Sequence, residues 1–172
     1  MIKVIKVKTT QDAKLAERFT FEALKPGGFA SNPDIPIASL KDQLAWLSWA
    51  NIKRSEQPTF IAKEKGKIIA GIFGEPVEQW FDKGESEIQE LLFRPAKEND
   101  DIAMKLLSKI IDFYRENKAK QVHFWVLEKN FNKNKFEPWQ KIAMDSFGFS
   151  FKGFRRTSKW SGKPIVKIEK YF

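Results

Sequence analysis

A chain of 172 residues with a net charge of +9, 42% apolar and 31% charged residues is long enough for one domain with a proper core, and its balance is that of a folded soluble protein. It has no cysteine and one histidine, which excludes disulfides and thiolate metal sites, leaves little scope for a metal centre, and makes a cytoplasmic location the expectation. No apolar run approaches the length of a membrane span, the start MIKVIKVKTT lacks a signal-peptide pattern, and abundant Lys and Glu without Cys is a thermophile-like composition.

Lys3–Lys8 alternates Ile and Val with Lys and reads as a half-exposed first strand. Thr9, with Asp12 three residues on, forms an N-terminal cap, and Ala13–Leu24 follows as a helix with Leu15, Ala16, Phe19 and Ala23 on its buried face. Pro26-Gly27-Gly28 stops it, and a loop with Pro33 and Pro36 runs to Ala38. Ser39-Leu40-Lys41-Asp42 caps a second helix that carries Leu40, Leu44, Trp46 and Leu47 inward and runs to about Arg54, before Pro58 breaks the pattern. Phe60–Lys63 and Ile68–Phe73 flank Glu64-Lys65-Gly66-Lys67, a hairpin whose turn calls for positive φ at Gly66. A longer connection from Gly74 to Gly84 holds Trp80 and Phe81.

The chain is organised around the stretch from Glu87 to Tyr114. Ile88–Phe93 is a strand that Pro95 ends. After a polar loop, Ala103, Leu106, Leu107, Ile110, Ile111 and Tyr114 recur at helical spacing and form one apolar face. A strand feeding a helix in this way aims the helix's first N–H groups at whatever occupies the loop, a common means of holding phosphate. Gln121–Leu127 is an almost continuous apolar run, as expected of a buried strand in a parallel pairing. Glu137-Pro138-Trp139 opens a short helix that ends near Phe147-Gly148. Ser150–Trp160 and Ile165–Phe172 form a closing hairpin around Ser161-Gly162-Lys163-Pro164. With no internal repeat and no low-complexity linker, residues 1–172 read as a single domain.

Leu91-Leu92-Phe93-Arg94-Pro95, seven further residues, and then Ala103-Met104-Lys105-Leu106-Leu107 resemble motif A of the GNAT superfamily of acyl-CoA N-acyltransferases. That motif reads roughly L-x-V-x-P, then Q/R-x-x-G-x-G/A, then x-x-L-L. Val122–Asn130 is similar to the family's fifth strand and its following asparagine, and Phe147-Gly148-Phe149 to the junction of its fourth helix and sixth strand. The resemblance covers about Thr59 to Arg156, and the element order β-α-α-β-β-β-α-β-α-β-β is also that of the family. The fold it implies is α/β, a mixed, mainly antiparallel sheet with helices on both faces. Two departures stand out. The loop reads Glu98-Asn99-Asp100-Asp101-Ile102-Ala103, in which only Ala103 fits, and Phe131–Glu137 is a Lys- and Asn-rich insertion.

The resemblance implies an acyl-CoA-dependent N-acyltransferase, with acetyl-CoA or another acyl-CoA as donor and an amine approaching between residues 25–38 and the C-terminal hairpin. It makes Glu87 the catalytic base, sharing a strand face with Gln89, Leu91 and Phe93, while Glu85 and Glu90 would need a different register. Backbone amides near Leu92 and Phe93, with Leu91, would meet the acyl-pantetheine; Asp101, Ile102, Ala103 and Met104 form the altered pyrophosphate loop, and Asn130 is a further donor contact. Met144 stands where a tyrosine commonly protonates the leaving thiolate. Acids in place of loop glycines bring bulk and, when ionised, repel a diphosphate, although Asn and Asp also make good helix caps. Lys97 and Lys105 are the cations near enough to offset them.

Charge supports a second reading. Residues 129–170 hold eleven Lys and Arg against three acids, +8, while the rest of the chain is nearly neutral. Such a third would attract nucleic acid or an acidic partner to a non-catalytic module of the same fold, and Trp139 and Trp160 lie among its cations as candidate stacking platforms. His123, on an apolar strand, reads as a core or edge residue rather than a base, and no metal ligand set is evident. The chain is expected to act as a monomer or homodimer with no membrane contact.

Overall fold

The computed structural model describes residues 1–30, 57–77, 84–159 and 161–172. The predicted helix from Ser39, together with Trp46, Trp49, Trp80, Phe81 and Trp160, lies outside the described residues.

The described strands are β1 (Ile2–Lys6), β2 (Thr59–Glu64), β3 (Lys67–Gly74), β4 (Glu85–Phe93), β5 (Gln121–Leu127), β6 (Ser150–Thr157) and β7 (Pro164–Tyr171), in one sheet of order β1-β2-β3-β4-β5-β7-β6. Every pairing is antiparallel except β4 with β5. The described helices are α1 (Thr10–Leu24), α2 (Asp100–Glu116), α3 (Glu128–Asn132) and α4 (Pro138–Phe147). Lys65 and Gly66 both take positive φ, 49° and 79°, so the β2–β3 hairpin turns with the twist of its strands.

Two apolar cores lie on opposite faces of the sheet. On one face α2 sets Leu106, Leu107, Ile110 and Tyr114 against Ile72, Ile88 and Phe124, with Trp139 and Ala143 of α4 beside them. On the other, α1 packs Ala13, Ala16, Phe19 and Ala23 against Ile61, Phe73 and Leu92. Leu15, expected inside, is 38% exposed, and Thr20 takes a buried place instead with its hydroxyl on the Ala16 carbonyl at 3.0 Å. Trp139 is buried rather than offered as a platform; its ring meets Phe124 at 5.0 Å. Thr9 caps α1 through the Asp12 N–H at 3.1 Å, and Glu137 forms a capping box with Gln140 at the start of α4. The insertion is partly helical, because α3 continues directly from β5 as far as Asn132.

One irregularity in β4 decides which way its side chains point. Phe73 pairs with Glu90 but Gly74 pairs with Ile88, so Gln89 is an extra residue, a β-bulge. The expected alternation breaks there. Leu91 joins the same core as Ile88, so Glu87 does not share a face with Leu91. The bulge supplies the different register that brings Glu90, opposite Phe73, onto the α1 side together with Glu87. Tyr114 reaches this point from α2, its hydroxyl 2.7 Å from the Glu87 carbonyl and 3.0 Å from that of Glu75. A Cβ on Gly74 would lie 2.2 Å from the Tyr114 oxygen, so only glycine leaves the hydroxyl room.

Candidate active site

The parallel pairing of β4 with β5 covers Glu85↔Gln121, Ser86↔Val122 and Glu87↔His123, and no pair follows although both strands run on. Past Glu87 the strands diverge and leave an opening whose β4 wall is Ile88–Phe93. Arg94 donates its N–H to Ile69 on β3 at 2.8 Å. Antiparallel alternation then turns the backbone groups of Leu92 to β3 and those of Leu91 and Phe93 away from it, into the opening. The amides turned there are therefore those of Leu91, which already meets the Glu90 carboxyl, and Phe93, and Leu92 instead places its side chain in the α1 core.

Glu87 sits where the pairing ends. Its Oε2 accepts from Trp125 Nε1 at 3.2 Å and lies 3.7 Å from His123 Nε2, with the Glu87 side chain 18% exposed and that of His123 fully buried. On the same face, Lys167 joins Glu85 at 3.1 Å and Glu169 at 3.4 Å, Gln121 donates to Glu169, and Gln89 donates to Glu75. This polar layer lies on the α1 side of β4, β5 and β7, an unusual place for so many charges unless they are paired or used.

Glu90 lies one residue beyond the bulge. It is closely surrounded by protein but not sealed from solvent. Burial, then repulsion from Glu137 at the head of α4, pushes its carboxyl up to about 8, and the adjacent Leu91 N–H offsets only part of this. Burial and the nearby Glu75 and Glu87 likewise push the Tyr114 hydroxyl well above its usual range, so it stays a neutral donor.

The start of α2 is occupied by its own side chains. Asn99 Oδ1 accepts the Ile102 N–H at 3.1 Å, and the Asn99 carbonyl accepts those of Ile102 and Ala103 at 3.1 and 3.0 Å. Asp100 and Asp101 fill the first turn and are exposed. Lys97 is engaged by Glu64 at 2.7 Å, while Lys105 is exposed. Ile102 and Ala103 are buried under the helix, Met104 is 38% exposed, and Asn130 lies in α3 with its carbonyl accepting from Lys133 and Lys135. Met144 packs at the edge of the α2-side core.

The family model described as "Acetyltransferase (GNAT) family" matches residues 21–136. The chain belongs to the GNAT acetyltransferase family. Its fold is also that of solved GNAT structures. An acetyltransferase of the family from Streptococcus pneumoniae aligns with TM-score 0.65 at 14% identity, covering 100% of this chain and 99% of that one. The ribosomal-protein-S18-alanine N-acetyltransferase of Escherichia coli aligns at 0.63 and 16%, covering 99% and 94%. The PaiA N-acetyltransferase of Thermoplasma acidophilum, solved in complex with coenzyme A, aligns at 0.61 and 16%, covering 100% and 99%. No curated protein is similar enough to match.

The backbone groups of Leu91 and Phe93 face the opening. At the start of α2 the Ile102 amide is already bonded and the first turn carries two acids. Of the residues expected from sequence, the structure brings Glu87, Leu91 and Phe93 together at the opening; Leu92 faces elsewhere. Sequence reasoning set Glu90 aside and missed Trp125 and Glu137, because the bulge and the packing of α4 carry no local signal.

Proposed function

We propose that this GNAT protein is an acyl-CoA-dependent N-acyltransferase whose amine acceptor reaches the sheet from the α1 side. The observation that carries the reading is the opening past Glu87↔His123, with Leu91 and Phe93 backbone groups turned into it and a carboxylate at its apex. Amides held on a strand need no reorganisation to stabilise charge developing on a carbonyl oxygen. Glu87 accepts the proton that the amine loses, directly or through one water, and Trp125 holds its carboxylate in place. Tyr114 fixes the backbone beneath it. The N-acetyltransferases of E. coli and T. acidophilum with this fold support the same chemistry. The acyl-CoA supplies the activated acyl group; the chain's part is to orient, desolvate and move the proton.

The test is calorimetric titration with acetyl-CoA, followed by an amine-acceptor screen. Acetyl-CoA should bind, and Glu87→Gln should lower turnover by about 10²–10⁴-fold with little change in donor affinity. Absence of heat would defeat the reading.

The second reading is polyanion contact through residues 129–170. The exposed outer strand β6, carrying Lys152, Arg155 and Arg156 with Phe154 49% exposed, favours it. Arg155 is paired with Glu128 and lies over Phe151, and Arg156 lies 4.1 Å from the Trp125 ring, so part of that charge already has partners.

A further inference from the structure

We propose that Glu90 is a second catalytic carboxyl in the β4–β5 opening, and that it protonates the thiolate leaving group which the fourth helix, with Met144 in place of a tyrosine, cannot serve. The proposal rests on the acyltransfer reading and goes beyond it in assigning a proton donor. Three observations place Glu90 there. Pairing with β5 stops at Glu87, so at Glu90 no β5 residue is registered alongside. The bulge at Gln89 brings Glu90 to the same side of β4 as Glu87. Its carboxyl neighbours the Leu91 N–H, one of the backbone groups turned into the slot, and feels Glu137 at the head of α4, the helix whose donor is missing.

The proton balance of the reaction leaves a role for such a group. The amine nitrogen forms a bond to the thioester carbon, and the carbon–sulfur bond breaks with its electron pair on sulfur. The ammonium proton passes to Glu87, and the thiolate takes a proton from Glu90. Exchange with water then returns Glu87 to its carboxylate and Glu90 to its acid, leaving amide and free thiol. A proton donor must hold its proton at working pH, and burial beside a like charge holds it on Glu90. The titratable groups on the described elements around this region are Glu87 on β4, Glu75 after β3, His123 on β5, Lys167 on β7 and Glu137 before α4. Of these, Lys167 is held by Glu85 and Glu169.

Two measurements test the assignment. In the unliganded chain, carbon-13 NMR should show one glutamate carboxyl titrating near 8 that disappears in Glu90→Gln and moves to lower pH in Glu137→Gln. A Glu90 carboxyl titrating in the ordinary range would overturn the proposal. In turnover, Glu90→Gln should lose about 10–100-fold with acetyl-CoA and lose the alkaline limb of the pH profile. With an aryl thioester, whose thiolate leaves without help, it should match wild type, while Glu87→Gln stays impaired on both donors. Equal losses on both donors, or an unchanged pH profile, would overturn the role of Glu90 alone. A wild-type chain inert towards both donors would overturn the acyltransfer reading and this assignment with it.

Discussion

At the scale of single residues, Tyr114 and Glu90 show what burial does to polar groups. Tyr114 is fully buried and spends its hydroxyl on two carbonyls at the β3–β4 junction. Tyr114→Phe keeps the ring and removes its hydroxyl from both carbonyls, of which that of Glu87 keeps the Glu75 N–H, so it should cost about 1–3 kcal/mol, read as a lower urea midpoint at unchanged slope. Activity should fall as well, because the Glu87 backbone loses one anchor. For Glu90 the sign follows from linkage. Its folded value of about 8 lies above the value of ~4.3 expected in the unfolded chain. The stability it contributes is therefore complete below the unfolded value and is lost as pH rises through the folded one. Glu90→Gln cannot ionise, so its melting temperature relative to wild type should rise from pH 5 to about pH 8 and level off above it. A constant difference across that range would contradict the buried acid.

At the scale of elements, α2 shows how a strand–loop–helix unit can be legible as topology and not as chemistry. Its periodicity declared a helix, and Ile102, Ala103, Leu106, Leu107, Ile110, Ile111, Phe113 and Tyr114 are buried. Asn99 caps it, and the acids of its first turn complement its dipole by roughly 0.3–1 kcal/mol each. The same charges oppose a diphosphate. Asp101→Lys should therefore tighten acetyl-CoA binding by about two- to tenfold in calorimetry while lowering thermal stability slightly. Weaker binding would show that the diphosphate does not lie near this turn. β4 is the contrasting element. Its strand character was plain from Ile88–Phe93, but the bulge at Gln89 had no signature, since neither Gly nor Pro marks it. Faces inferred from strict alternation fail past the bulge, for Leu91, Phe93 and Glu90.

At the scale of the molecule, charge and architecture are separable. The +8 carried by residues 129–170 falls on β5's exit, α4 and the β6–β7 hairpin. If this surface binds polyanions, affinity for single-stranded DNA should fall linearly on a log–log plot against salt, with a slope of about −0.7 per phosphate neutralised. Binding insensitive to salt, or absent at about 50 mM salt, would leave the basic third as a solvated surface. Among the described residues no helix is long and apolar enough to cross a membrane. The β6 edge, with Lys152, Arg155 and Arg156, has the charged character that discourages strand-to-strand aggregation.

The sequence by itself determined the order of the described elements apart from α3, the cap at Thr9, the stop at Gly148 and most of the apolar faces, because each is a local choice or a repeat at a fixed period. It also carried enough of the family pattern for β4, α2 and β5 to be placed correctly. Only the tertiary structure decided where β4 and β5 part, which amides turn into the gap, that Trp139 is core, and that Glu90 is crowded by protein within reach of the Glu137 charge. Those facts depend on register between strands distant in sequence and on helices laid across them. A one-residue slip in β4 reverses the side to which a carboxylate points.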